Sequence, residues 1–226
     1  MLPLMPVHTV VLAKAPVAGR VKTRLVPALG QAGATKLAGR LLADAVARVH
    51  AACGQSLHLP SGAVLTLSAE LCGSPAPGHA DWIGHVPAHI AHADAAPGSV
   101  WTWTDQGGGD LGERMARASQ RVTQSGRAVL LVGTDCPTLS PDWLREAALR
   151  LQRHQAVLLG ARDGGYVLLG LRSHCPAVFE HIPWSTDAVA SLTLQRLQAQ
   201  GLDVWQGPLF DDVDTPADLA RLQQPV

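Results

Sequence analysis

Short apolar runs alternate along this chain with longer stretches of helical period. Val7 to Ala13 is a run of β-branched and small apolar residues ending at a Pro/Gly loop, the pattern of a buried strand. From Gln31 to Ala51, the residues Leu37, Leu41, Leu42, Ala45, Val46 and Val49 recur at helical spacing. Short strands are expected at Ala63 to Leu67 and Val100 to Thr104, and a helix from Leu111 to Gln124. Ala128 to Val132 is wholly apolar and reads as a central strand, closed by Gly133-Thr-Asp-Cys-Pro137. Ser140 and Pro141 supply the cap and first-turn proline of a helix running to about His154. Gln155 to Ala161 and Tyr166 to Leu171 read as strands around Asp163-Gly-Gly165, either a hairpin-like turn or a bend over a ligand crevice. Thr186-Asp187 opens a helix to about Gln200, Val204 to Leu209 is a last strand, and Thr215-Pro216 begins a terminal helix.

Strands and helices in this alternation predict an α/β fold, a three-layer and mostly parallel sheet with helices on both faces. A length of 226 residues fits a single domain, 1–226. Cys72 to Gly98, rich in Gly, Pro, Ala and His, shows neither period and reads as an irregular insertion at about 72–98. His79, His85, His89 and His92 within it invite a metal reading, but Gly84 and Pro87 weaken the helix that would align them, and a solvated segment is the better expectation.

Acidic and basic side chains balance at 18 each, so no global field draws the protein to nucleic acid or an anionic membrane. No run approaches the roughly 18 apolar residues of a membrane helix. Cys53, Cys72, Cys136 and Cys175 are widely spaced without a C-x-x-C pair and read as reduced thiols of a cytoplasmic protein.

Charge-driven binding must then be local, and one place stands out. Lys14 to Arg24 carries Lys14, Arg20, Lys22 and Arg24 directly behind the first strand, in a chain with only three lysines. Ligands of an open α/β sheet bind beyond the carboxyl ends of its strands, where these cations would neutralise a diphosphate and Gly19 would allow close backbone approach. Neither G-x-x-x-x-G-K-[ST] nor G-x-G-x-x-G is present, and a solvated surface loop is the plain alternative. Asp135 follows the most apolar strand, either as a ligand for a hard divalent cation or as an acceptor for its own turn amides. Asp211-Asp-Val-Asp214 crowds three carboxylates that a cation would relieve, with Asp212 and Asp214 on one face if extended; Asp214 could instead only cap the helix that follows. Asp163 and Asp187 each offer a carboxylate that could take a proton from an acceptor hydroxyl. Gln106 to Arg114, which includes Asp110, is a glycine-rich lead into a helix and a natural anion site, or a flexible connector.

The segments Lys14 to Leu25, Gly109-Asp-Leu-Gly-Glu-Arg-Met115, Gly133-Thr-Asp-Cys-Pro137, Asp163-Gly-Gly-Tyr166, Trp184-Ser-Thr186 and Asp212-Val-Asp-Thr-Pro216 follow one another in the order of a known family. Over nearly its whole length the chain resembles bacterial glycosyltransferase-A-like (GT-A) proteins of the arsenosugar-biosynthesis type, within the nucleotide-diphospho-sugar transferase superfamily. The resemblance implies a Rossmann-like sheet that binds a nucleoside diphosphate or triphosphate and a divalent metal on Asp135. It also brings in nucleotidyltransferases whose metal ligands resemble Asp135 with Asp212 and Asp214. The usual D-x-D triplet is reduced here to Asp135 followed by Cys136 and Pro137.

The expected function is a metal-dependent glycosyltransferase-like activity with a nucleotide-diphospho-sugar donor and a small-molecule acceptor. Lys14, Gly19, Lys22, Arg24, Asp110 and Arg114 would bind substrate, Asp135, Asp212 and Asp214 would hold Mg²⁺ or Mn²⁺, and Asp187 or Asp163 would serve the acceptor. A nucleotidyltransferase acting on a nucleoside triphosphate and a phosphorylated small molecule is the first alternative, and a non-catalytic nucleotide-binding module the second.

Overall fold

A computed structural model of the protein describes residues 3–92 and 100–222. Its centre is the strand β1, Val7–Lys14, flanked by β4, Leu67–Ser74, and β6, Ala128–Val132, both parallel to it. Outside β4 lies β5, Trp101–Asp105. Beyond β6 come β8, Tyr166–Leu171, then β7, Ala156–Gly160, and β9, Val204–Gln206, so the seven-stranded order is β5-β4-β1-β6-β8-β7-β9. β8 runs antiparallel to both β6 and β7, while the other pairings are parallel. Leu57–His58 (β2) and Val64–Leu65 (β3) form a separate antiparallel ribbon.

Alternation along the strands divides the core between two faces. Val7 and Val11 of β1, with Leu130 and Val132 of β6, pack with Leu42 and Val46 of α1 (Val26–Cys53) and Leu144 and Ala147 of α4 (Pro141–Arg150). Val10, Val129 and Leu131 turn the other way, toward Met115, Ala118 and Val122 of α3 (Leu111–Gln124) and Leu197 of α5 (Val189–Ala199). Each fully buried leucine in these layers contributes about 1.5–3 kcal/mol relative to exposure. Two short helices, α2 (Ala88–Ala91) and α6 (Pro216–Leu222), complete the chain. The result is the single-domain, mostly parallel three-layer sheet that the alternation predicts.

Several boundaries differ from the sequence expectation, each for a local reason. Cys72 to Ser74, expected in the irregular insertion, end β4, whose strand character is hidden in the sequence by Glu70 and Gly73. The rest of that segment holds a 3-10 turn at Ala80–Trp82 and α2, and residues 93–98 lie outside the described residues. Helix α1 begins at Val26 rather than near Gln31 and kinks at Gly30, whose φ of 68° only glycine adopts readily. Helix α5 starts at Val189 rather than at Thr186, with Thr186 Oγ1 accepting from Ala188 N in the turn that precedes it. The two glycines of 163–165 do make a hairpin connection between β7 and β8.

The oddity of β4 is a charge buried in its middle. Glu70 is 1% exposed and accepts from both guanidinium nitrogens of Arg121 in α3, at 2.7 and 2.5 Å, with His8 Nε2 3.3 Å away. Burial by itself would push the Glu70 carboxyl up, but the hydrogen bonds from Arg121 and His8 outweigh it and hold the group down at about 2. A depressed carboxyl stabilises the fold above its ordinary pKa of 4.5, and that contribution is lost as pH falls toward 2. Glu70→Gln should therefore lower unfolding free energy at neutral pH by about 3 kcal/mol and flatten its fall between pH 4.5 and 2. Urea titrations across that range check both effects.

Candidate functional site

The order of strands reverses between β1 and β6, and over their carboxyl ends opens a cleft of about 730 Å³, within the range of small-ligand sites. Its lining gathers segments from every part of the chain: Lys14 and Arg24, Arg114, Asp135, Asp163, Trp184, and Asp212 with Asp214. Lys14 is the exposed last residue of β1, and Arg24 lies in the 3-10 turn Thr23–Leu25. Neither carries an ion pair among the described residues, which leaves two cations facing the cleft. Gly19 supplies a left-handed turn at φ 76° in the connecting loop and is not itself part of the lining.

Lys22 is placed differently from the expectation that it faces phosphate. Its Nζ lies 2.7 Å from Asp135 Oδ1 and 2.7 Å from Asp214 Oδ1, and donates to the Val213 carbonyl at 2.7 Å. Burial pulls the ammonium pKa down, but the charges of Asp135 and Asp214 outweigh it and hold the pKa above its ordinary value, so the group stays charged. The two carboxylates meet because the chain after β9 crosses the sheet: Phe210 N donates to Gly160 O, and Val213 N donates to Asp135 O at 3.0 Å. Val213 is buried, so Asp212 and Asp214 on either side of it both face the cleft.

Asp214 is free for this role because another residue caps the last helix. Asp218 Oδ2 accepts from Asp214 N, Thr215 N and Thr215 Oγ1, reaching back from the first turn to fix the segment that enters the helix. Asp135 likewise accepts from the Thr134 hydroxyl and Lys22. Asp212 has no such cation. Burial, then the charges of Asp163 and Asp214, push its carboxyl up to about 6. Among the described residues, no three His, Cys, Asp or Glu side chains converge as a ready-made metal centre. The hard oxygens of Asp135 and Asp214, already gathered about one cation, still suit Mg²⁺ or Mn²⁺, which is bound through one or two carboxylates plus waters and phosphate.

Of the two candidate bases, Asp163 lines the cleft and Asp187 does not. Asp163 Oδ1 accepts from Gly165 N at 2.8 Å, which orients it. Asp187 packs by its backbone against Gly164, which sits at φ 91° and where a Cβ would strike the Asp187 carbonyl. A second close approach, at Gly112, brings α3 against the Phe179 carbonyl and within 3.0 Å of the Trp184 indole for any added Cβ. Glycines thus wedge the 163–165, 109–115 and 179–187 segments together at one rim.

Asp110 caps α3: its Oδ1 accepts from Glu113 N, and Glu113 Oε2 accepts from Asp110 N. Arg114, one turn on, points at the cleft and donates only to neutral acceptors, Gly109 O, Ser74 Oγ and Gln106 Oε1. Its charge is thereby held in position and left uncompensated.

Gln106 is the residue that sequence reasoning missed. It is 5% exposed, and its amide nitrogen donates to Ala13 O and Cys72 O while its oxygen receives Arg114. The only trace in the sequence is a polar amide just before three glycines; its buried partners come from strands distant in the chain. Gln106→Ala removes the donor to two carbonyls and one of the three acceptors of Arg114. It should lower stability by about 2 kcal/mol, seen as a shift in denaturation midpoint with unchanged m-value.

The fold together with a relative of 31% identity makes this chain a transferase, of the GT-A-like class within the nucleotide-diphospho-sugar transferase superfamily. A candidate nucleotide-diphospho-sugar transferase of Desulfovibrio desulfuricans G20 matches with 31% sequence identity and a TM-score of 0.77, over 96% of this chain and 86% of that one. The family model described as "Uncharacterized protein conserved in bacteria (DUF2064)" matches residues 77–186. The chain belongs to the family of the Desulfovibrio protein, and the DUF2064 model covers the middle of it. The fold alone is shared with 4-diphosphocytidyl-2C-methyl-D-erythritol synthase of Anaerococcus prevotii DSM 20548, at 11% identity and TM-score 0.55 over 97% of this chain and 99% of that one. It is also shared with a cytidylyltransferase of Leptospira borgpetersenii, at 12% identity and TM-score 0.51 over 97% and 85%. No curated protein matches the chain. No helix among the described residues is long and apolar enough to cross a membrane.

Proposed function

We propose that this transferase moves a glycosyl group from a nucleoside diphosphate sugar to the hydroxyl of a small-molecule acceptor, with Asp135 and Asp214 holding Mg²⁺ or Mn²⁺. One observation carries the reading: two carboxylates converge in a cleft that the unpaired cations Lys14 and Arg24 also line. A diphosphate suits a cleft of that composition, with side-chain cations for its oxygens and carboxylates that would hold a metal beside them. When bound, the metal supplies Lewis acidity that stabilises negative charge on the departing diphosphate.

The chain's own residues do the rest. Lys14 and Arg24 bind the phosphate oxygens, and Arg114, braced by Gln106, adds a third positive charge at the β1–β4 end. Asp163 accepts the acceptor's hydroxyl proton at a carboxylate oxygen, a role typically worth about 10²–10⁴ in rate. Four free thiols fit a cytoplasmic location.

Product analysis distinguishes this chemistry from its rivals. Incubation with a panel of nucleotide sugars, acceptors and Mn²⁺ should release a nucleoside diphosphate, and chelation should reduce the rate by about 10²-fold or more. Release of pyrophosphate from a nucleoside triphosphate would make the protein a nucleotidyltransferase instead. Nucleotide binding by thermal shift without turnover of any panel member would leave a non-catalytic module.

A further inference from the structure

Lys22 is the most constrained charged group in the cleft. All three ammonium protons have an oxygen at 2.7 Å: Asp135 Oδ1, Asp214 Oδ1 and the Val213 carbonyl. No donor is left over for a phosphate. Its side chain is 6% exposed, whereas those of Asp135 and Asp214 are 45% and 40% exposed. The ammonium is therefore largely withdrawn from solvent, held between the two carboxylates and the Val213 carbonyl at the cleft lining, to which all three side chains belong. Both of its carboxylate contacts use the Oδ1 atoms, and the structure records no protein partner for Oδ2 of either residue among the described residues.

We infer that Lys22 is a positioning residue for a divalent cation, a fixed brace that holds Asp135 and Asp214 together through their Oδ1 atoms and leaves their Oδ2 atoms as the ones that would hold the ion. The inference rests on the metal-binding reading above. It makes Lys22 neither a phosphate ligand nor a cation that the metal expels. Two carboxylates on one small ion repel each other before it arrives, and an interposed ammonium offsets that repulsion in advance. The brace also explains how a metal pair could exist without a D-x-D triplet. Asp135 is followed by Cys136 and Pro137, and its second carboxylate partner comes instead from residue 214, brought in by a lysine 192 positions away. Partners of this outer kind commonly set metal affinity about as firmly as the ligands themselves. The left-handed backbone of Lys22, φ 49° and ψ 40°, is a conformation that a non-glycine residue keeps only where its surroundings hold it.

The chain's three lysines make the test direct, because Lys14 and Lys36 are exposed and serve as internal references. Reductive methylation of the wild-type protein, read by peptide mass spectrometry, should modify Lys14 and Lys36 and leave Lys22 unreacted. Saturating Mg²⁺ with inorganic pyrophosphate should protect Lys14 and leave Lys22 unreacted still. Labelling of Lys22 on addition of Mg²⁺ alone would show displacement and overturn the inference. Labelling of Lys22 in the free protein, suppressed by pyrophosphate, would make it a phosphate ligand and overturn it equally. Failure of pyrophosphate to protect Lys14 would count against the proposed function, while the Lys22 result would still report on the brace. A second readout is Mn²⁺ affinity by electron paramagnetic resonance. Lys22→Met should weaken binding by about tenfold or more and Lys22→Arg should recover most of it, whereas tighter binding by Lys22→Met would mean competition and sink the idea.

Discussion

A buried ammonium between two aspartates ties the beginning of this chain to its end, and the cleft depends on it. Lys22 comes from the loop after β1, Asp135 from the end of β6, and Asp214 from the segment before α6. Among the described residues, no other ion-paired group in the cleft links three such distant pieces. The ion pairs are well placed to matter, because the lysine is shielded from solvent and every proton it carries has an acceptor. The same cleft is lined by Asp163 and Asp212, without a comparable counter-charge among the described residues, and by Lys14, Arg24 and Arg114. Both signs of charge thus meet in one cleft.

The same economy recurs away from the cleft. Glu70 and Arg121 pin α3 to the sheet, and Gln106 and Arg114 pin the start of α3 to the ends of β1 and β4. In both places a residue that looks out of place in a strand or glycine-rich stretch is fully wired to partners far along the chain. These polar ties lie on the α3 face of the sheet, whereas the opposite face, under α1 and α4, is almost wholly apolar. The helix that carries the cleft-facing Arg114 is thus held by directional bonds, which fix its rotation more narrowly than packing alone does.

Much of this was legible in the chain. The strands Ala128–Val132 and Tyr166–Leu171 and the helix Leu111–Gln124 fall where periodicity puts them, because each is long and apolar on the face it buries. The motifs from Lys14 to Asp214 do assemble around one cleft. Less visible was β4, whose central glutamate breaks the apolar pattern until Arg121 is known to sit on it. Gln106 was unreadable for the same reason. Asp110 both caps its helix and lines the cleft, whereas Asp187 is outside the lining and meets the rim through its backbone.

The order of strands, helices and charged loops was determined by the sequence alone, because hydrophobic period and turn chemistry are local properties that each segment carries with it. What the charges do was decided only by the fold. Lys22 and Lys14 stand eight residues apart in one loop and look interchangeable, yet one is buried against two aspartates and the other is open to the cleft. The difference lies in the residue-214 segment returning across the sheet to Asp135. Coulomb energy depends on distance in space and on shielding from water, and neither is written in the spacing of residues along a chain.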